Sequence, residues 1–124
     1  NFVYEVAPQP RIAFDSSWGE TVHGMPGSAP GLLIDYDLQR LPSCRAGYNG
    51  FPTWEVLVYW RFDGGAVSYT PVTRVDGTDR VAAPALIEVP PGAREIELWF
   101  KASDRGGCVQ YDSDYGRNYR WRVG

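Results

Sequence analysis

With 124 residues, 44% of them hydrophobic and 15% aromatic, the chain can bury one real core, which excludes a disordered polypeptide. Its net charge of −3 comes without any basic run, which excludes the clustered positive face of a nucleic-acid binder and a polybasic membrane anchor. No apolar stretch approaches the roughly 20 residues that span a bilayer, so membrane insertion is not expected.

Glycines and prolines, 14 and 10 of them, recur too often to leave a long helical window. Between them lie short runs that alternate apolar and polar residues, the signature of strands with one buried face. In chain order, weak strands are expected at Phe2–Val6 and Arg11–Phe14. Segment 15–30 is rich in Gly, Pro and Ser and reads mostly as loop, which makes residues 1–30 the less regular portion. Gly31–Leu38 follows, with Leu32, Ile34, Tyr36 and Leu38 on one face. Trp54–Phe62 is the strongest strand: Trp54, Val56, Val58, Trp60 and Phe62 make a wholly apolar face. Asp63-Gly64-Gly65 then turns the chain. Weaker strands follow at Gly65–Tyr69 and Val81–Val89, the second broken by Pro84. Arg94–Lys101 sends Ile96, Leu98 and Phe100 inward, with Glu95, Glu97, Trp99 and Lys101 opposite. Arg117–Val123 ends the series with Tyr119, Trp121 and Val123 inward.

Seven to nine strands at this spacing predict an all-β fold, a two-sheet antiparallel β-sandwich of immunoglobulin-like type, with residues 1–124 forming one domain. The expected core is Leu32, Ile34, Tyr36, Val56, Val58, Trp60, Ile96, Leu98, Phe100, Tyr119 and Trp121. The two cysteines, Cys44 and Cys108, are an even pair in a small loop-rich β chain. A disulfide between them is expected, with two buried free thiols as the alternative. That bridge suits an oxidising compartment, so a secreted or periplasmic setting is expected; the start at Asn1 rather than Met fits either a processed form or a trimmed chain.

The side chains suggest binding rather than catalysis. The one histidine, His23, lies in the loop-like segment, and there is no nucleophile elbow beside which it would act as a base. The pairs Asp35/Asp37 and Glu95/Glu97 fit the polar faces of half-solvated strands better than a glycosidase pair. Residues Asp112–Asn118 carry oxygen ligands and a glycine. They lack the third acidic position and the glutamate of a calcium loop, so calcium is only the alternative to a turn in which Asp112 or Asp114 accepts backbone N–H bonds. Five tryptophans and eight tyrosines exceed what one core needs. Trp99 lies opposite the apolar face of its strand, and Tyr48, Tyr111 and Tyr115 fall in or beside loops. A ring exposed among hydrogen-bonding groups suits the C–H face of a sugar, and equally a protein surface.

The C-terminal run ELWFKASDRGGCVQYDSDYGRNYRWRV resembles the signature of starch- and glycogen-binding carbohydrate-binding modules. The matching positions are Tyr111-Asp112-Ser113-Asp114, then Gly116, Asn118 and Tyr119. The resemblance implies an immunoglobulin-like sandwich, a stacking role for Tyr111 and a sugar contact from Asn118. Ser113 and Asp114 stand where that family has two asparagines. Over roughly the last ninety residues, including LPSCRAGYNGFPTWEV at Leu41–Val56, the chain is similar to a family of small uncharacterised bacterial domains, which brings no activity with it.

The expectation is therefore a non-catalytic, lectin-like or carbohydrate-binding domain with a polysaccharide or glycan as partner. Trp99 and Tyr111 would stack on the sugar, and Asp112, Asp114 and Asn118 would hydrogen-bond to it. No catalytic residue, metal site or cofactor is expected. The alternative is a protein–protein interaction or structural domain.

Overall fold

A computed structural model describes residues 9–124, so the strand expected at Phe2–Val6 lies outside the described residues. The elements are β1 (Arg11–Phe14), β2 (Glu20–His23), β3 (Gly31–Tyr36), a 3-10 turn (Leu38–Arg40), β4 (Gly47–Tyr48), β5 (Phe51–Pro52), β6 (Trp54–Phe62), β7 (Ser68–Pro71), β8 (Thr73–Asp76), β9 (Asp79–Ala82), β10 (Ala85–Glu88), β11 (Glu95–Asp104), β12 (Val109–Asp112) and β13 (Tyr119–Arg122). The chain is all-β, in several sheets, none of them closed.

One sheet has the order β10-β3-β1-β2; the other has β12-β11-β6-β7, with β13 also on β11. β12 pairs with Phe100–Ser103 and β13 with Glu95–Leu98, so the two follow one another along β11. β4–β5 and β8–β9 are separate hairpins. The expectation of purely antiparallel pairing is corrected at one ladder: β1 runs parallel to β3, with Ile12 beside Ile34.

β6 and β11 pair from Ile96↔Phe62 to Asp104↔Trp54, and their even-numbered residues share one face. Val56, Val58, Ile96, Leu98 and Phe100 enter a single core cluster with Ile12, Phe14, Leu32, Ile34, Tyr36 and Ile87 of the other sheet. Each such aliphatic side chain contributes about 1.5–3 kcal/mol by leaving water. Rings join the two sheets directly. Phe100 stacks on Tyr36 at 3.9 Å between centroids and meets Phe14 edge-on at 4.8 Å. Of the expected core, Trp60 and Trp121 are half-buried against the cluster and the rest are buried.

Several elements differ from expectation. Segment 15–30 is mostly loop, as expected, but it also holds β2, an exposed edge strand on which His23 pairs with Arg11. β3 stops at Tyr36 because the Asp37 carboxylate accepts the Gln39 N–H at 2.9 Å and starts the 3-10 turn. The break expected at Pro84 is present and divides Val81–Val89 between β9 and β10. β12 was not expected as a strand. Asn49-Gly50 makes the tight turn of β4–β5, with φ of +52° and +79°, the left-handed pair that a two-residue hairpin requires.

Cys44 and Cys108 are joined in a disulfide across 64 residues, their Cα atoms 5.2 Å apart. Asp104 holds the two segments in place. One of its oxygens accepts the N–H groups of Gly106 and Cys108 at 2.8 and 3.1 Å, the other that of Ala46 at 3.2 Å.

Candidate functional site

Two loops build the site. The β1–β2 loop folds around Asp15, whose carboxylate accepts the Ser17 and Gly19 N–H groups at 2.9 and 3.0 Å. That tight turn leaves Trp18 in the left-handed region at φ +64°. The β12–β13 loop closes through Asn118 N–H onto the Ser113 carbonyl at 2.7 Å and Arg117 N–H onto that of Asp114 at 3.1 Å. Asp114, Tyr115 and Asn118 are left-handed too, at φ +50°, +58° and +61°. Four of the seven left-handed non-glycine residues among those described thus sit in these two loops. For bulky rings such as Trp18 and Tyr115 that backbone is strained.

Beneath the loops lies a buried ionic knot. Asp112 receives the Tyr36 hydroxyl at 2.6 Å, the Tyr119 hydroxyl at 2.5 Å and Arg40 Nε at 3.0 Å. Arg40, 2% exposed, also donates to the Tyr119 oxygen at 2.9 Å and the Gly19 carbonyl at 3.2 Å. Phe14, Trp18, Tyr36 and Tyr119 surround its guanidinium, the Trp18 ring nearest at 4.8 Å. Burial, and then the Asp112 hydrogen bond, push both tyrosine hydroxyls well above their ordinary range.

Over this floor opens a cleft of about 430 Å³, walled by Trp18, Glu20, Tyr111, Asp114 and Tyr115. Its rings are open to solvent: Trp18 is 58% exposed, Tyr111 57% and Tyr115 97%. Burial raises the Glu20 carboxyl most; Arg40 opposes that, and the charges of Asp112, Asp114 and Asp15 add to it. Asp114 pairs with Arg117 at 3.3 Å. A larger groove, about 1230 Å³, opens beside Trp60, Phe62, Val89 and Ala93. Its rings are half-buried against the core and no left-handed non-glycine residue lines it, so the smaller cleft is the better candidate.

The expected site residues fall into two groups. Tyr111, Asp112 and Asp114 line the cleft. Trp99 and Asn118 belong instead to the outer face of the second sheet. Asp112 is corrected from a sugar contact to a structural carboxylate, because buried donors engage both of its oxygens. Asn118 points its amide at Glu97, at 2.7 Å. Glu97 is itself buried, which corrects its reading as a solvated face residue; burial works to raise its carboxyl, but Asn118, Arg61 and Arg120 outweigh that and hold it below the usual range. Trp99 lies beside Tyr59 with centroids 5.7 Å apart and planes 8° from parallel. Tyr111 belongs to both groups, because it lines the cleft and also stands opposite Lys101 on the outer face.

Sequence reasoning missed Trp18, Glu20 and Arg40, and it noted Tyr115 only as a loop aromatic. The signal for Trp18 was Asp15-Ser-Ser-Trp-Gly19, an aspartate placed to cap a turn that ends in glycine. Among the described residues, one cluster has metal-ligand types: Cys44, Asp104 and Cys108. Its sulfurs are bonded to each other and its carboxylate holds backbone N–H groups.

The fold and site define a disulfide-linked all-β protein with an aromatic-walled cleft over a buried Arg–Asp knot. The chain belongs to the family of unknown function DUF6209, which it matches over residues 1–124. Comparison with curated proteins and with solved structures found no match to either.

Proposed function

We propose that this is a non-catalytic carbohydrate-binding domain, an immunoglobulin-like sandwich that works in a secreted or periplasmic setting. Its glycan site is the cleft between Trp18, Tyr111 and Tyr115. One observation carries the reading: Trp18 and Tyr115 are large rings in strained left-handed backbone, yet both stand largely in solvent, Trp18 with the Arg40 guanidinium 4.8 Å from its ring. Such a backbone costs about 1–2 kcal/mol for a residue with a Cβ, and strain of this kind gathers at ligand sites. A sugar would lay its C–H face on these rings and reach Glu20, Ser113 and Asp114 with its hydroxyls. The floor favours a neutral ligand, because Asp112 already balances the Arg40 charge.

Two further features support the reading. The sheets share one core, as in a sandwich. The disulfide suits an oxidising compartment, and no helix among the described residues is long and apolar enough to cross a membrane. A lone Glu20 beside a paired Asp114 and an engaged Asp112 does not make the two-carboxylate device of a glycosidase.

The test is affinity electrophoresis against soluble starch, xylan, mixed-linkage β-glucan and glycol chitin. Tyr115→Asn removes the ring but suits left-handed backbone. It should weaken binding about tenfold, or ~1.4 kcal/mol, with a melting temperature unchanged or slightly higher. Binding that survives both Tyr115→Asn and Trp18→Ala would refute the cleft. Retention by none of the four polysaccharides, alongside binding on a peptide array, would move the exposed rings to the protein-interaction reading.

A further inference from the structure

We infer that the ligand is a linear polysaccharide laid across the second sheet, from the cleft at Tyr111 along a row formed by Trp99, Tyr59 and Tyr69. This rests on the carbohydrate reading above and extends it to the class of glycan. The row follows from the register. Tyr69 stands opposite Tyr59, and Tyr59 opposite Trp99, one ring on each of β7, β6 and β11. Tyr111 on β12 pairs with Lys101, two residues beyond Trp99, so it continues the same face diagonally toward the cleft that it also lines.

Neighbouring rings in the row lie close together. Trp99 and Tyr59 are within 8° of parallel but 5.7 Å apart at their centroids. Full overlap would bring them to about 3.5–4.0 Å, and rings side by side in one plane would clash at 5.7 Å. They are therefore not in full face-to-face contact, and both side chains stay partly exposed. Tyr59 and Tyr69 are as close, 5.4 Å between centroids, but tilted by 34°, and Tyr69 at the sheet edge is 64% exposed. A partner that uses the whole row must present a flat apolar patch at regular intervals, which a chain of pyranose rings does.

The polar groups beside the row point to an uncharged chain. Arg61 and Arg120 are engaged on Glu97 at 3.1 and 3.4 Å, and Lys101 lies 6.0 Å from the Tyr111 ring. Hydroxyls would meet the Arg–Glu97 pairs without stripping those charges of their partners. Each further sugar held by the row would bind as part of a molecule already captured, so affinity should rise with chain length.

Isothermal titration with cello-, xylo-, malto- and chito-oligosaccharides of two to six units tests this. In at least one series the hexamer should bind about tenfold or more tighter than the dimer. Tyr69→Ala should erase that gain while leaving dimer binding intact, Tyr69→Phe should preserve it, and Tyr115→Asn should weaken every length. Affinity independent of length, or a hexamer gain untouched by Tyr69→Ala, overturns the track while the cleft reading stands. No binding in any series overturns both. If Tyr69→Ala lowers the melting temperature sharply, Tyr69→Ser in the same titration decides, and a retained hexamer gain there again overturns the track.

Discussion

Arg40 and Asp112 form an ion pair whose side chains are 1% and 2% exposed. A buried pair of this kind is dangerous to halve, because the surviving charge stays in the core without water. Asp112→Ala should therefore cost about 3–5 kcal/mol in urea unfolding. A loss under ~1 kcal/mol would mean that water reaches Arg40 freely. Tyr36→Phe removes a donor while the carboxylate keeps two others, and should cost only about 1–2 kcal/mol. The sequence marked Asp112 as a polar residue in a turn, and that is also how an exposed sugar contact would look. Its true partners, Arg40, Tyr36 and Tyr119, lie on other elements, so no local pattern could reveal them. Tyr111 was legible, because an aromatic between polar residues near a glycine turn is exposed whether or not it binds anything.

At the scale of elements, β6 and β11 behave as their alternation requires. Leu98 lies at full burial between Trp60 and Tyr119 in the register. Leu98→Ala should cost about 2–5 kcal/mol through lost burial and the cavity left behind; a melting temperature within a degree of the parent would show that the strand relaxes around the gap. The disulfide ties the segment before β4 to the start of β12 across 64 residues. In the chain-entropy account a loop of that length is worth about 4 kcal/mol. Unfolding with and without reductant should differ by roughly that amount, and equal midpoints would mean that Asp104 and the neighbouring packing hold the loop alone. β6 was legible to its end residues and β13 nearly so, because each carries period-two alternation over several residues. β2 and β12 were not. They are four residues long and half polar or more, and they become strands only by pairing with β1 and β11.

For the whole molecule, the titrating groups set a window of pH. Glu97 is held below its usual value of 4.5, so its contribution is present above that pH and is lost as the pH falls through its folded value. Tyr36 and Tyr119 are held above 10.0, so theirs is present below pH 10 and lost as the pH rises toward their folded values. Glu20, raised above 4.5, acts in the opposite sense to Glu97, favouring the fold at the acid end, and its exposure keeps the effect small. Melting temperatures should form a plateau that falls on both sides. Asn118→Ala should move the acid edge upward, because it removes the amide that helps keep Glu97 charged; an unmoved edge would assign acid sensitivity to another carboxylate. The sequence by itself determined the all-β character and nearly all of the inward faces, because alternation is a local property of extended chain, and it left the two cysteines one intramolecular pairing, which the structure makes. Only the tertiary structure decided that Trp18 and Tyr115 wall one cleft, that Asp112 belongs to the core and that Tyr69, Tyr59 and Trp99 line up across three strands. Those relations arise from register and from loops that meet once the sheets are packed, and neither leaves a mark in the local order of residues.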